Sequence, residues 1–424
     1  MQRTLLMQRA LLRRRLVAMR SGSERIALDG SLHLSSSSSS GGGGVSTSTT
    51  TTTTTPTTPT LQPPNRRPSL VPDVEPISEA QLERLVHFVV SCPRPGPSAS
   101  ASGGSGLVVL TGAGASTEGP NGTGNGLPDY RGPGGAYTVG NFKPMTHQQF
   151  LASSDNRRRY WSRAFVGWSH FASAEPAMPH HALARLQDRG WVSSLVTQNV
   201  DRLHHKAGSK DVVELHGTTH EVVCLRCGEV SPRAPLQAQM AALNPLAAEL
   251  AAARAAAASS PYVSAQAALQ RRPDGDAEVD AAELSARRFV VPPCPACGAG
   301  GRSSSSSSSN DPNDDDVALK PNVVFFGDGV PQDRADRALQ LASTAGALLV
   351  VGSSLRVWSA FRLVKAAAER GVPIAVLNAG QTRADEQLPA GSITLRLDCL
   401  AGEALARLER HPAVQLPASA AWGG

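Results

Sequence analysis

Between residues 78 and 380 the chain alternates short unbroken apolar runs with stretches in which apolar positions recur every three or four residues. Ser78, with Gln81 three residues on and Leu82, Leu85, Val86 and Val89 behind it, predicts a helix opened by a capping box. Residues 107–110, 195–197, 323–326, 347–351 and 374–377 are apolar runs of strand length, and residues 333–343 and 360–370 read as helices between them. Strands that are apolar on both faces must be covered on both faces. Their alternation with helices therefore predicts an α/β fold, a doubly wound, mostly parallel sheet of the Rossmann-like kind.

Composition bounds this unit on either side. Residues 31–77 contain Ser35 to Ser40, Gly41 to Gly44 and Thr49 to Thr55, which cannot bury enough apolar surface to offset ordering entropy, so they read as a disordered linker. The main folded domain is expected over residues 78–410, with a tail at 411–424. Ahead of the linker, Arg3, Arg9, Arg13, Arg14, Arg15 and Arg20 precede the first acidic residue, Glu24. Residues 1–30 thus have the composition of a mitochondrial transit peptide, with a plastid signal or a plain basic tail as the alternatives. The formal charge of +6 and pI near 9.2 come partly from this leader, and no nucleic-acid partner follows from them. No apolar run approaches the roughly 18 residues of a membrane span, so no membrane partner is expected either.

Four of the six cysteines form two couplets, Cys224-Leu-Arg-Cys227 and Cys294-Pro-Ala-Cys297. Two such turns brought face to face supply four thiolates at tetrahedral corners, a closed structural zinc site; one couplet alone would suit redox chemistry, two do not. Cys92 and Cys399 stand alone, so the compartment is expected to be reducing. The zinc module is expected over about residues 218–320. Inside it, the Ala-rich stretch 247–258 reads as a helical insertion and the Ser/Asp-rich stretch 303–316 as a disordered loop, both exposed.

The strand at 107–110 runs into Gly112-Ala113-Gly114-Ala115-Ser116, where small residues let backbone amides approach a phosphate. The spacing is not that of hydride-transfer enzymes. Downstream follow Pro128-Asp129-Tyr130-Arg131, Gln198-Asn199-Val200-Asp201, Glu214-Leu215-His216-Gly217, Gly352-Ser353-Ser354-Leu355 and Leu377-Asn378-Ala379-Gly380. In this order the set resembles the sirtuin (Sir2) family of NAD-dependent protein deacylases. The segments 159–168 and 320–328 resemble class II, the mitochondrial sirtuin-4 type, and the resemblance covers about residues 78–405.

The resemblance implies NAD as cofactor, with Gly112, Ala113, Gly114, Ala115, Ser116, Asp129, Tyr130 and Arg131 around the pyrophosphate and nicotinamide ribose. It implies Gln198, Asn199, Val200 and Asp201 at the nicotinamide, and Gly352, Ser353, Ser354, Asn378, Ala379, Gly380 and Cys399 at the adenosine half. His216 would be the general base, with Asn199 and Asp201 favouring nicotinamide release. The substrate would be acylated lysine, lying as an added strand near Val324, Phe325 and Gly327. Tyr160 and Arg163, three apart on a helix, would reach the end of the acyl chain and accept a carboxylate there.

Three departures from the family stand out: an insertion at residues 119–125, Ala115 in place of a bulky aliphatic residue, and Asn322 in place of an acid. His204 and His205 read as surface residues, and His180 and His181 carry no role. The expectation is a monomeric protein-lysine deacylase of the mitochondrial matrix, removing acetyl or longer and branched acyl groups from lysines of mitochondrial metabolic enzymes, with mono-ADP-ribosyl transfer as the rival and a non-catalytic NAD sensor as the remote alternative.

Overall fold

The computed structural model describes residues 72–93, 106–119, 126–132, 135–139, 143–258, 276, 288–298 and 317–415. The chain divides into Met1–Gln62 and Pro63–Gly424, and every described residue belongs to the second unit. The expected leader, the linker up to residue 71, the insertion beyond Gly119 and the Ser/Asp-rich stretch lie outside the described residues.

Helix α1 (Glu79–Val90) opens with the expected capping box, Ser78 accepting from the Gln81 amide and Gln81 from the Ser78 amide. The chain then runs β1 (Leu107–Thr111), α2 (Gly114–Thr117), α3 (Ala136–Val139), α4 (His147–Ala152), α5 (Ser154–Ala172), α6 (Met178–Asp188), β2 (Ser194–Thr197), α7 (Leu203–Lys206) and β3 (Val212–Glu214). A second group comprises β4 (Gly217–Cys224), β5 (Val230–Pro232), α8 (Arg233–Leu243), α9 (Pro245–Ala258) and β6 (Leu319–Val323). The last part returns through α10 (Gln332–Ser343), β7 (Ala347–Val351), α11 (Trp358–Glu369), β8 (Ile374–Leu377), α12 (Arg383–Gln387), β9 (Leu395–Leu397), α13 (Ala401–Arg410) and α14 (Pro412–Gln415).

Six strands form one sheet in the order β3-β2-β1-β7-β8-β9, with every neighbouring pair parallel. Alternate residues of the central strands serve opposite faces. Leu107, Val109, Leu349 and Val351 pack with Leu85, Leu183 and Leu405, whereas Val108, Leu110, Leu348 and Val350 pack with Leu341, Phe361 and Val364. This two-sided burial is why the strands carry no polar alternation. The strand order reverses between β1 and β7, which opens a crevice beyond their carboxyl ends.

The run at 323–326 departs from expectation. It is not a strand of the parallel sheet: β6 ends at Val323 and pairs antiparallel with β4, which also pairs with β5. The apolar character of the run serves another purpose, because Phe325 sits edge-on to Phe150, with ring centroids 5.2 Å apart, and beside Tyr160 in a second core. The Ala-rich helix α9 is also not simply exposed. Ala247 is buried and Ala248 and Ala251 are partly buried in that second core, their small side chains allowing close approach of α5. At the other end, Val414 of α14 is buried in the first core, so the folded unit continues past residue 410.

Candidate active site

At the switch point the loops after β1 and β7 press together. The Gly112 amide donates to the Val351 carbonyl at 3.0 Å, and the Gly114 amide to the Gly352 carbonyl at 2.9 Å. Gly352 has φ +58, and a Cβ there would come within 2.5 Å of the Ala115 amide nitrogen, so only glycine meets both demands. A cavity of about 840 Å³ opens over these loops.

Ala113, Gly114, Ser116, Asp129, Tyr130 and Arg131 border it on one side, and Gln198, Asn199, Val200, Asp201 and His216 form its floor. Gly352, Ser353 and Ser354 follow, with Asn378, Ala379, Gly380 and Cys399 at the far end and Val324, Phe325 and Gly327 along the mouth. Gly112 and Ala115 are not on the wall. Ala115 is fully buried beneath the loop, and Gly112 offers its carbonyl to Asn199 Nδ2 at 3.0 Å.

From the floor inward runs a largely buried polar chain. His180 Nδ1 accepts from the Ala177 amide, which leaves Nε2 to donate to Ser116 Oγ at 3.3 Å; Ser116 in turn donates to Asp201 Oδ2 at 2.8 Å. Asp201 Oδ1 accepts from the Leu203 amide, and Asn199 Nδ2 donates to Ser116 Oγ. Thr111 donates to Thr197 and accepts from His204 Nε2 at 2.9 Å. His204 is therefore not a surface residue as expected: α7 turns it inward, 1 % exposed, while His205 next to it faces out. His180, without a role in the sequence reading, is fully buried against it, with ring centroids 4.6 Å apart. Burial pushes the His180 imidazole down to about 4, against the pull of Asp201, and holds His204 well below the ordinary histidine range.

His216 follows β3 and faces the cavity. Its Nδ1 lies 3.0 Å from the Gln198 carbonyl, which can only accept, so Nδ1 carries the proton and Nε2 the lone pair. Nε2 lies 2.7 Å from Ser359 Oγ in the first turn of α11. Desolvation pushes this imidazole down to about 4, so it is neutral at pH 7. Ser359 lines the same cavity, and nothing in the sequence pattern marks it. Gln198 Nε2 ties the floor to the second loop by donating to Ser353 Oγ at 2.8 Å. At the far end, burial pushes the Cys399 thiol up to about 12, and Glu118 accepts from the Gly402 amide at 2.7 Å, anchoring the first loop to α13. Asn322 donates to Glu221 at 2.9 Å, a bond that an acid at this position would not supply.

The four couplet sulfurs lie within 4.8 Å of one another, with Cys224–Cys297 and Cys227–Cys294 each 3.8 Å apart. Zinc–sulfur bonds of about 2.3 Å at tetrahedral angles place sulfurs about 3.8 Å apart, so the set fits one closed structural zinc. Each couplet ends in a left-handed glycine, Gly228 with φ +76 and Gly298 with φ +68, whose amides donate to the Cys224 and Cys294 carbonyls.

Tyr160 and Arg163 do not border the large cavity. They line a second one of about 60 Å³ that shares Tyr130 and residues 323–326 with the first.

A family profile described as Sir2 family matches residues 112–359. The NAD-dependent protein deacylase SRT2 of Arabidopsis thaliana is 40% identical over 349 residues, covering 82% of this chain and 81% of that protein. The NAD-dependent protein deacylase Sirt4 of Drosophila melanogaster is 38% identical over 327 residues, covering 77% and 87%. Among solved structures, a Sir2 homologue in complex with ADP-ribose superposes with a TM-score of 0.51 at 24% identity, covering 78% of this chain and 96% of that one, a likeness of fold.

Proposed function

Because the chain belongs to the Sir2 family, we propose that it is an NAD-dependent protein-lysine deacylase with His216 as its general base. The observation that carries this reading is the lone-pair nitrogen of His216 facing the cavity whose floor holds Asn199 and Asp201 and whose rim is two abutting glycine loops.

NAD, when bound, supplies a glycosidic bond whose cleavage releases nicotinamide and activates the ribose for transfer of the acyl group. The backbone of Ala113, Gly114 and Ser116 and of Gly352 to Ser354 suits its phosphates and ribose, and the small residues there let those groups come close. Gln198, Asn199 and Asp201 hold the nicotinamide end, and Asp129 to Arg131 close over it. Asn378, Ala379, Gly380 and the uncharged Cys399 receive the adenosine end. His216 takes a proton at Nε2, the one nitrogen free to accept it, and the Gln198 carbonyl stabilises the resulting cation through Nδ1–H. The acyl-lysine approaches as an extended segment along Val324, Phe325 and Gly327. Cys224, Cys227, Cys294 and Cys297 hold zinc, which ties the small module together at a distance from the chemistry.

The substrates are acylated lysines of mitochondrial proteins, and the support for that compartment is the acid-free, Arg-rich composition of residues 1–23. A fluorescent fusion of residues 1–30 distinguishes mitochondrion from plastid. The enzymatic test is incubation of the zinc-loaded protein with NAD and acylated peptides, followed by mass spectrometry. Deacylated peptide with acyl-ADP-ribose is the expected result. ADP-ribose attached to protein would indicate mono-ADP-ribosyl transfer, and intact NAD with every peptide would overturn the reading.

A further inference from the structure

The second cavity contains a charge that the sequence did not place there. Asp276, from the stretch between the two couplets, lines it together with Tyr160, Arg163 and Thr219. Its side chain is 2% exposed, and its Oδ2 lies 3.5 Å from Arg163 Nη2. A carboxylate withdrawn so far from water stays charged only beside a cation, and the guanidinium of Arg163 is that cation. The neighbouring Arg233 also feels the Asp276 charge, but the ion pair itself is made by Arg163: Arg233 Nη2 donates to the Ala164 carbonyl at 2.7 Å, and its guanidinium lies 4.3 Å from the centre of the Trp168 ring.

The position of this cavity gives the pair its meaning. It shares Tyr130 and the segment Val323 to Phe326 with the large cavity, so the two adjoin there, and an acyl chain entering past His216 would reach the second by passing this segment. Tyr160 is packed among Phe150, Trp161 and Phe325, and with Met145 and Val324 these make most of the remaining wall apolar. A chain ending in a carboxylate would have to bring a second anion against Asp276 in a place with little water, and like charges so close are strongly unfavourable. An uncharged chain meets no such opposition.

Resting on the deacylase reading, we propose that Asp276 is a specificity-determining residue: it occupies the carboxylate-binding place beside Tyr160 and Arg163, so the enzyme accepts uncharged acyl groups and rejects those ending in a carboxylate. The Tyr160/Arg163 pair is then a receptor already filled by the chain's own acid, which reverses the preference the helix spacing alone implies.

The test compares kcat/KM for acetyl-, butyryl- and succinyl-lysine versions of one peptide, with NAD, in the wild type, Asp276→Asn and the double variant Asp276→Asn/Arg163→Ala. The wild type should favour butyryl over succinyl by on the order of a hundredfold. Asp276→Asn should raise the succinyl-to-acetyl ratio of kcat/KM about tenfold, and the double variant should lose that gain. A wild type that takes succinyl as readily as butyryl overturns the inference, whether or not any variant folds. So does a folded Asp276→Asn, checked by its thermal melt, with an unaltered succinyl-to-butyryl ratio. Absence of turnover with all three peptides would instead remove the deacylase reading on which the inference stands.

Discussion

The Ser359 hydroxyl lies 2.7 Å from Nε2 of His216, the nitrogen left unprotonated by the bond from Nδ1 to the Gln198 carbonyl. The hydroxyl therefore donates to the lone pair that must later accept a proton. It holds the imidazole plane and the tautomer until a ribose hydroxyl takes its place.

Ser359→Ala should consequently slow the base-dependent step without touching nicotinamide cleavage. One such hydrogen bond is worth roughly 0.5–1.5 kcal/mol, so kcat for deacylation is expected to fall about two- to tenfold. Exchange of labelled nicotinamide into NAD should persist, and Ser359→Thr should restore much of the rate. Equal loss of exchange and deacylation would show that Ser359 only supports the fold.

Gly352→Ala tests the contact between the glycine loops. The left-handed backbone costs about 1–2 kcal/mol for a residue with a Cβ, and the Cβ would also strike the Ala115 amide nitrogen at 2.5 Å. Gly371 supplies the control, since its φ is +68 but nothing lies within 4 Å of its Cβ. Thermal melts should show both variants destabilised, Gly352→Ala the more, and only Gly352→Ala should raise the KM for NAD. Indistinguishable melts and KM values would mean that the loops part without cost.

Metal analysis should find one zinc per chain. Removing it with a chelator, or replacing Cys224 by Ser, takes away the bond between two turns separated by residues 228–293, and the antiparallel sheet that carries Cys224 on β4 should loosen. Proteolysis within residues 218–320 should precede cleavage of the parallel sheet, and retention of full protease resistance after metal loss would contradict this.

Stability should fall on acidification from pH 7 to 5. His180, His216 and His220 are pushed down to about 4, and His204 well below the ordinary histidine range, chiefly by burial. Between their ordinary value near 6.5 and about 4, the unfolded chain binds more protons than the native one, so stability rises with pH across that window and is lost as pH drops through it. Glu214, raised to about 7 by burial, acts in the opposite direction between 4.5 and 7. With four histidines against that one acid among these large shifts, the urea midpoint should be lower at pH 5 than at pH 7. An equal or higher midpoint at pH 5 would show that these imidazoles reach water.

Much of the fold was legible because its causes are local. Ser78 and Gln81 cap a helix through neighbours three residues apart, and the central strands announce two-sided burial by being apolar throughout. The small strand β3 and the terminal strand β9 gave no such signal; each has three residues and borrows its stability from a neighbour already in the sheet. The run at 323–326 misled for a related reason, since apolarity records burial but not which partner provides it.

The candidate site divides along the same line. Residue type and order determined which groups are capable of the chemistry: the glycines that let two loops meet, the imidazole of His216 and the four thiols. Tertiary packing alone decided that His204 turns inward while His205 faces out, that Ser359 reaches His216 across residues 217–358, and that Asp276 fills the place beside Arg163. Those pairings depend on how separate elements lie against one another and on the need to satisfy each polar group withdrawn from water, a condition that exists only once the chain is folded.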